Sequence, residues 1–324
     1  MSESILRKLS GSKVLRKCLG KPFLRVSEWV WNSLPVPMRS LRPVIAYGSF
    51  LNLLVRLRSD RTQYHGTFFF RNRPELELIR KLSTQWASDS ALKMTVLACS
   101  NGAEVYSILW TIRSARPDLK VDVHAIDISS QIVDIAEKGE YSLQTDRLVG
   151  SPIFERMTDE EMRQMFEQVE GRMKIRPWIK ERVHWEVGDA RDPHLATLLV
   201  GQDIVVANKF LCHMTPPDAE VCLRNIAQLV RPGGYLFVSG VDLDVRTKVA
   251  RELGWAPVPD LLEEIHDGDQ SVRKDWPWRY WGLEPLDQKK DDWKLRYASV
   301  FQVGKPAPDR TYEIGSPKQV FCAL

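Results

Sequence analysis

The chain has 324 residues, 44% apolar and 27% charged, with a formal net charge of +4. That balance excludes a disordered tail protein and is enough for one large α/β domain with appendages. The five cysteines (Cys18, Cys99, Cys212, Cys222, Cys322) show neither paired zinc spacing nor a dense disulfide pattern, and the six histidines do not cluster. A reducing cytoplasm and no structural metal are therefore expected.

Charge is unevenly spread. Residues 1–60 hold eleven Lys or Arg against Glu3, Glu28 and Asp60, a net +8, which leaves −4 for residues 61–324. Phe23, Trp29, Trp31 and Phe50 lie among these cations. Such a segment suits an anionic membrane surface, a partner or, less well, a nucleic acid; the alternative is a helical appendage that packs its apolar side on the rest of the chain, and this is the expectation. Pro22, Pro35, Pro37 and Pro43 break it into helical pieces. The longest apolar run, Pro43 to Val55, is too short to cross a bilayer, and the N-terminus lacks a cleavable apolar leader.

From Pro74 the run to Leu82 reads as an amphipathic helix. Short apolar runs then predict strands at 95–99, 121–127, 183–187, 203–207 and 235–239, each suited to a sheet covered on both faces. Helices are predicted near 104–113, 130–137, 159–168 and 218–230, the third capped by Thr158 ahead of Asp159, Glu160 and Glu161. Further helices follow at 245–253 and 260–266. A hairpin of Trp281–Leu286 and Arg296–Val303, turning at Gln288–Asp292, is expected to close the sheet. The implied organisation is a basic helical appendage (1–60), a catalytic domain (61–304) with a substrate lid at 241–280, and a tail (305–324).

The most specific local pattern is Val96-Leu97-Ala98-Cys99-Ser100-Asn101-Gly102-Ala103-Glu104, followed by Val123-His124-Ala125-Ile126-Asp127. A strand feeds a glycine turn, a helix leaves it, and the next strand ends on a carboxylate, which is the layout of a nucleotide-binding βαβ unit. Asp127 is placed to accept from two ribose hydroxyls. The second glycine of the dinucleotide fingerprint is missing, so a nucleoside without phosphate fits better. S-adenosylmethionine is such a ligand, and Glu104 adds a carboxylate near its positive charge.

Four fragments occur in an informative order: Thr67-Phe68-Phe69-Phe70-Arg71; the Cys99–Ser107 turn; Ala125-Ile126-Asp127-Ile128 with Gly139-Glu140-Tyr141-Ser142; and Arg231-Pro232-Gly233-Gly234-Tyr235-Leu236. Over roughly residues 62–240 the chain resembles the chemotaxis-receptor glutamate methyltransferases of the CheR type, in the catalytic domain only. The resemblance implies an α/β, Rossmann-like class I methyltransferase fold, with a seven-stranded, mostly parallel sheet and helices on both faces. It further implies a donor site holding S-adenosylmethionine through Thr67, Arg71, Cys99, Ser100, Gly102, Glu104, Asp127, Ile128, Asp189, Ala190, Asn208 and Lys209.

Departures from the family pattern bear on the acceptor. Asn208 and Lys209 stand where the family has Arg-Asn, His65 replaces an asparagine, and His213 replaces a tyrosine beside the transferred methyl. A carboxylate acceptor needs no base, whereas a hydroxyl or amine does. His213 is therefore a candidate base or hydrogen-bonding group, with Arg71 as the other catalytic candidate. His65, Trp276, Trp278 and Tyr280 are candidate substrate contacts; for the aromatic cluster the alternative, which is the expectation, is that it forms the lid's own core. The expected activity is methyl transfer to an O- or N-acceptor on a small molecule. The alternatives are a protein glutamate methyltransferase and a non-catalytic sensor or scaffold that binds the donor.

Overall fold

The computed structural model describes residues 20–59, 61, 65–143 and 153–304. The first nineteen residues and the tail from 305, with Cys18 and Cys322, lie outside the described residues. Strands β1 (Ala91–Leu97), β2 (Lys120–Asp127), β3 (Glu140–Ser142), β4 (Phe166–Val169), β5 (Arg172–Ile175), β6 (Val183–Val187), β7 (Gln202–Asn208), β8 (Val230–Ser239), β9 (Ala256–Pro257) and β10 (Val300–Gln302) form two sheets. The larger has the order β6-β2-β1-β7-β8-β10-β9. Its first five strands are parallel, and β10 runs antiparallel to both β8 and β9.

Parallel strands need both faces covered, and the sequence supplies this with strands apolar on both sides. One core contains Met94, Val96, Val123, Ile204 and Phe237 beneath the helices Arg73–Ser83 and Ala103–Ala115; the other contains Leu97, Ile126, Val205, Leu236 and Val238 against Pro216–Ala227 and Leu243–Glu252. The order turns back on itself at β1, with β2 on one side and β7 on the other, so a crevice opens at the carboxyl ends of these strands.

Two expectations are corrected. Residues 281–286 form no strand, and the seventh strand is β9. Pro285 has no N–H to give a sheet, and Glu284 is pulled inward to accept from Arg296 Nη2 (2.8 Å), Lys290 Nζ (2.8 Å) and Tyr297 Oη (2.6 Å). The helix expected over 159–168 ends at Met165, and Phe166–Val169 becomes β4. Thr158 and Glu161 do form the reciprocal cap at its start. β4 and β5 join through Glu170-Gly171, both at positive φ (50° and 76°), as a two-residue hairpin turn. With β3 they make a small antiparallel sheet whose Tyr141 and Phe166 meet Phe69 edge-on at 5.3 and 5.2 Å.

In the N-terminal region Pro35, Pro37 and Pro43 sit at the starts of the helices Val36–Arg39 and Arg42–Arg58. Helices Gly20–Ser33 and Arg42–Arg58 pack on residues 276–279: Trp31, Leu51 and Trp276 share one apolar cluster, and Asn52 Nδ2 donates to the carbonyls of Pro277 and Arg279, each at 3.1 Å. Gly48 admits both indoles, because a Cβ there would overlap Trp31 and Trp276. The opposite side of the first helix leaves Phe23, Val26 and Trp29 exposed. Among the described residues no helix is long and apolar enough to cross a membrane.

Candidate active site

The crevice holds a cavity of about 290 Å³. Thirteen of the sequence-predicted residues line it: His65, Thr67, Arg71, Cys99, Ser100, Glu104, Asp127, Ile128, Asp189, Ala190, Asn208, Lys209 and His213. Three of its lining residues, Ala98 (φ 52°), Ser100 (φ 50°) and Lys209 (φ 63°), take the left-handed backbone conformation that side chains disfavour. Strain of this kind gathers where a turn must present atoms to a ligand.

Asp127 ends β2 and fixes the first turn. Its Oδ2 accepts from Ser100 N at 2.9 Å and its Oδ1 from Ser129 N at 3.1 Å. A carboxylate has about four lone-pair positions, so Asp127 keeps acceptor capacity for hydroxyls. Ser100 Oγ donates to His65 O at 2.8 Å, tying the His65–Arg71 loop to the turn. Gly102 does not line the cavity; at φ 87° it starts the helix Ala103–Ala115, and a Cβ would press on Ala136, Tyr106 and Trp185 at 3.1 Å. Behind Thr67 and Arg71, Phe69 and Phe70 are buried anchors, and Phe70 N donates to Ser107 Oγ at 3.0 Å.

A buried polar network lies behind the cavity. Asn208 Nδ2 donates to Glu75 Oε1 at 2.7 Å and to Glu104 Oε1 at 2.9 Å, while Ser239 Oγ donates to Asn208 Oδ1 at 2.7 Å. Burial, with Glu104 alongside, pushes the Glu75 carboxyl up to about 7, against the pull of Asn208, Lys209 and Arg71. Burial also raises Glu104, again opposed by Asn208, Arg71 and Lys209. Lys209 is lowered by burial and by Arg71.

Asp269, from the segment between the helices Leu262–Asp267 and Gln270–Lys274, reaches this network and is 2% exposed. It pairs with Arg71 (3.1 Å), Arg156 (3.3 Å) and Lys209 (3.7 Å). Arg61 lines the cavity and donates to the carbonyls of Cys212 (3.1 Å) and Met214 (2.7 Å) and to Asp242 (3.0 Å), ordering the turn that carries His213. His213 Nδ1 lies 2.9 Å from Tyr280 Oη. Asp189 is engaged by Arg191, whose Nη2 lies at 2.6 Å and whose hydrogen bonds hold its carboxyl below the ordinary range.

The expected aromatic contacts divide. Tyr280 meets the site through His213, whereas Trp276 and Trp278 do not line the cavity and surround Trp31, at ring distances of 5.4 and 6.5 Å. The sequence reading missed Arg61, Glu75 and Asp269. Asp269 is distant in sequence from Arg71, so no spacing pattern could connect them, and Glu75 resembled an ordinary first-turn acid. Among the described residues no group of three or more His, Cys, Asp or Glu is arranged to hold a metal.

Strand order, crevice and cavity together define a Rossmann-like class I methyltransferase fold. Residues 65–248 match the family model of the CheR methyltransferase, SAM binding domain, and the chain belongs to that family. It is 29% identical over 187 residues to chemotaxis protein methyltransferase 1 of Vibrio cholerae, covering 55% of this chain and 65% of that protein. It is 24% identical over 212 residues to the probable biofilm formation methyltransferase WspC of Pseudomonas aeruginosa, covering 64% of this chain and 48% of that one. The matched region thus spans less than two thirds of either relative. Among solved structures, a TehB-like SAM-dependent methyltransferase from Corynebacterium glutamicum aligns at 14% identity with a TM-score of 0.38, covering 80% of this chain and 96% of that chain.

Proposed function

We propose that this chain is an S-adenosylmethionine-dependent methyltransferase whose acceptor is a carboxylate on a protein, a glutamate side chain being the simplest case. The carrying observation is that Arg61, Arg71 and Lys209 line the same cavity as Asp127 and Glu104. One region thus offers carboxylates to a cationic nucleoside, and another offers cations to an anionic acceptor. The chemotaxis methyltransferase relatives support the protein acceptor over the small molecule expected from sequence.

The residues fit the donor. Asp127 would accept from its ribose hydroxyls, Glu104 would face its positive charge, and Ile128 and Ala190 give apolar contact beside Asp189. Bound there, S-adenosylmethionine supplies an electrophilic methyl on a sulfonium. An ionised carboxylate needs no deprotonation, so the protein's task is alignment and exclusion of water. Arg71 and Lys209 would draw the acceptor in, and His213, held by Tyr280, would orient it. The basic N-terminal region, with Phe23, Val26 and Trp29 exposed, would present a second contact to an acidic partner or an anionic membrane.

The test is incubation with methyl-labelled donor and the cytoplasmic part of a chemoreceptor. A carboxyl methyl ester releases its label as methanol in mild alkali. Protein label that survives alkali, or label found only on small molecules, would overturn the carboxylate reading.

A further inference from the structure

The methyl-transfer scheme gives Glu75 no task, yet its side chain is 5% exposed and built into the site's rear wall. It does not line the donor cavity; Glu104 does. The two carboxylates share one amide nitrogen, Asn208 Nδ2, at 2.7 and 2.9 Å. A primary amide has two N–H bonds, one for each acid, and Ser239 Oγ on Asn208 Oδ1 fixes which end of the amide faces them. The charged groups facing this pair are Arg71, from the loop before the helix Arg73–Ser83, and Lys209, from the turn after β7. Both cations are already drawn to Asp269. The site therefore stores a second potential negative charge behind Glu104.

We infer that Glu75 is a specificity-determining residue which, through Asn208 and Glu104, makes the site favour a positively charged sulfonium donor over its neutral thioether product. The inference rests on the donor-site reading above. Donor and product share adenosine, ammonium and carboxylate, and differ at this site by one positive charge and one methyl. With no added cation Glu75 is only partly ionised near neutrality, since burial and Glu104 hold its carboxyl at about 7. A sulfonium alongside favours the ionised form, so donor binding expels a proton that product binding retains. A group whose pKa falls on binding makes affinity rise with pH through the interval between its bound and free values, here up to about pH 7. Glu75→Gln keeps the shape and the hydrogen bond from Asn208 but cannot ionise.

The experiment is titration calorimetry of S-adenosylmethionine and S-adenosylhomocysteine at pH 6, 7 and 8, each in two buffers of different ionisation enthalpy. For the native chain the donor-to-product affinity ratio should rise with pH, with proton release specific to the donor. Glu75→Gln should bind both ligands with a ratio about 5- to 20-fold lower and rising less steeply with pH, Glu104 alone remaining to ionise, as expected for loss of one partly screened charge. A native ratio independent of pH, or a Gln variant that keeps the native ratio and slope, overturns the role of Glu75. If the variant does not fold, the native series decides alone: equal proton release for both ligands overturns it. Failure of the native chain to bind either ligand overturns the donor-site reading instead.

Discussion

Replacing Asp127 with alanine should weaken donor binding and the fold together, because one carboxylate serves both. Oδ2 accepts from Ser100 N at 2.9 Å, and Ser100 is itself held at φ 50°. Without that acceptor, a buried N–H in a strained turn loses its partner at a cost of about 1–3 kcal/mol. Ser129 is half-buried and can turn to water, so its N–H adds little. For a domain of this size class the melting temperature should fall by roughly 2–4 °C per kcal/mol. The lost charge-assisted bonds to the donor are worth a further 1.5–3 kcal/mol or so, about 10- to 150-fold in affinity. Calorimetric titration and thermal unfolding of the same preparation measure both. Unchanged donor affinity would remove Asp127 from the site, and lost affinity with an unchanged melting temperature would refute its part in holding the turn.

Trp276→Ala should destabilise the fold by about 3–5 kcal/mol in denaturant titration while leaving donor affinity unchanged, because the ring packs on Trp31 rather than on the cavity. Tyr280→Phe removes the hydroxyl 2.9 Å from His213 and should lower kcat by about 3- to 10-fold with donor affinity intact. An ascending limb in the pH–rate profile that disappears in His213→Ala would instead make His213 a general base and the acceptor a hydroxyl or amine. Acid should unfold the chain in two overlapping stages. His266, lowered by burial to about 4, contributes stability that fades as pH falls from about 6.5 toward 4. Glu284, which burial would raise, is brought to about 2 by Arg296, Lys290 and Tyr297, and its contribution fades from about 4.5 toward 2. Glu284→Gln should remove the lower stage in a pH series of chemical denaturation. Binding to anionic vesicles, if the basic segment mediates it, should weaken steeply between low and physiological salt in flotation assays, and salt-independent binding would argue for an apolar contact alone.

The central sheet was legible because its strands are apolar on both faces and are separated by helices with ordinary caps, so local pattern and tertiary need agree. That Cys99, Ser100, Glu104 and Asp127 line one cavity was legible for a related reason: the turn and Asp127 belong to one βαβ unit, and nearness in sequence becomes nearness in space. The hairpin at 281–286 misled because Leu283 and Leu286 pack on the second core while Glu284 between them is held by Arg296, Lys290 and Tyr297, a polar anchor that hydrophobic periodicity does not register. β4 was absorbed into the preceding helix, although Glu170-Gly171 marked a two-residue turn. Trp276 and Trp278 could be weighed as a ligand platform or as packed core, with core favoured, but nothing near them in sequence shows that Trp31 is the partner they pack on. Asp269 and Arg61 are electrostatic partners brought in by topology, and single-sequence pattern carries no trace of such pairings.

The match to the family model ends at residue 248, yet the sheet takes its last two strands from residues 256–257 and 300–302, and the N-terminal helices close over residues 276–279. A fragment cut to that stretch would leave β8 as a raw edge and take Asp269 away from Arg71 and Lys209. The stretch that the family model matches is thus smaller than the sheet it belongs to.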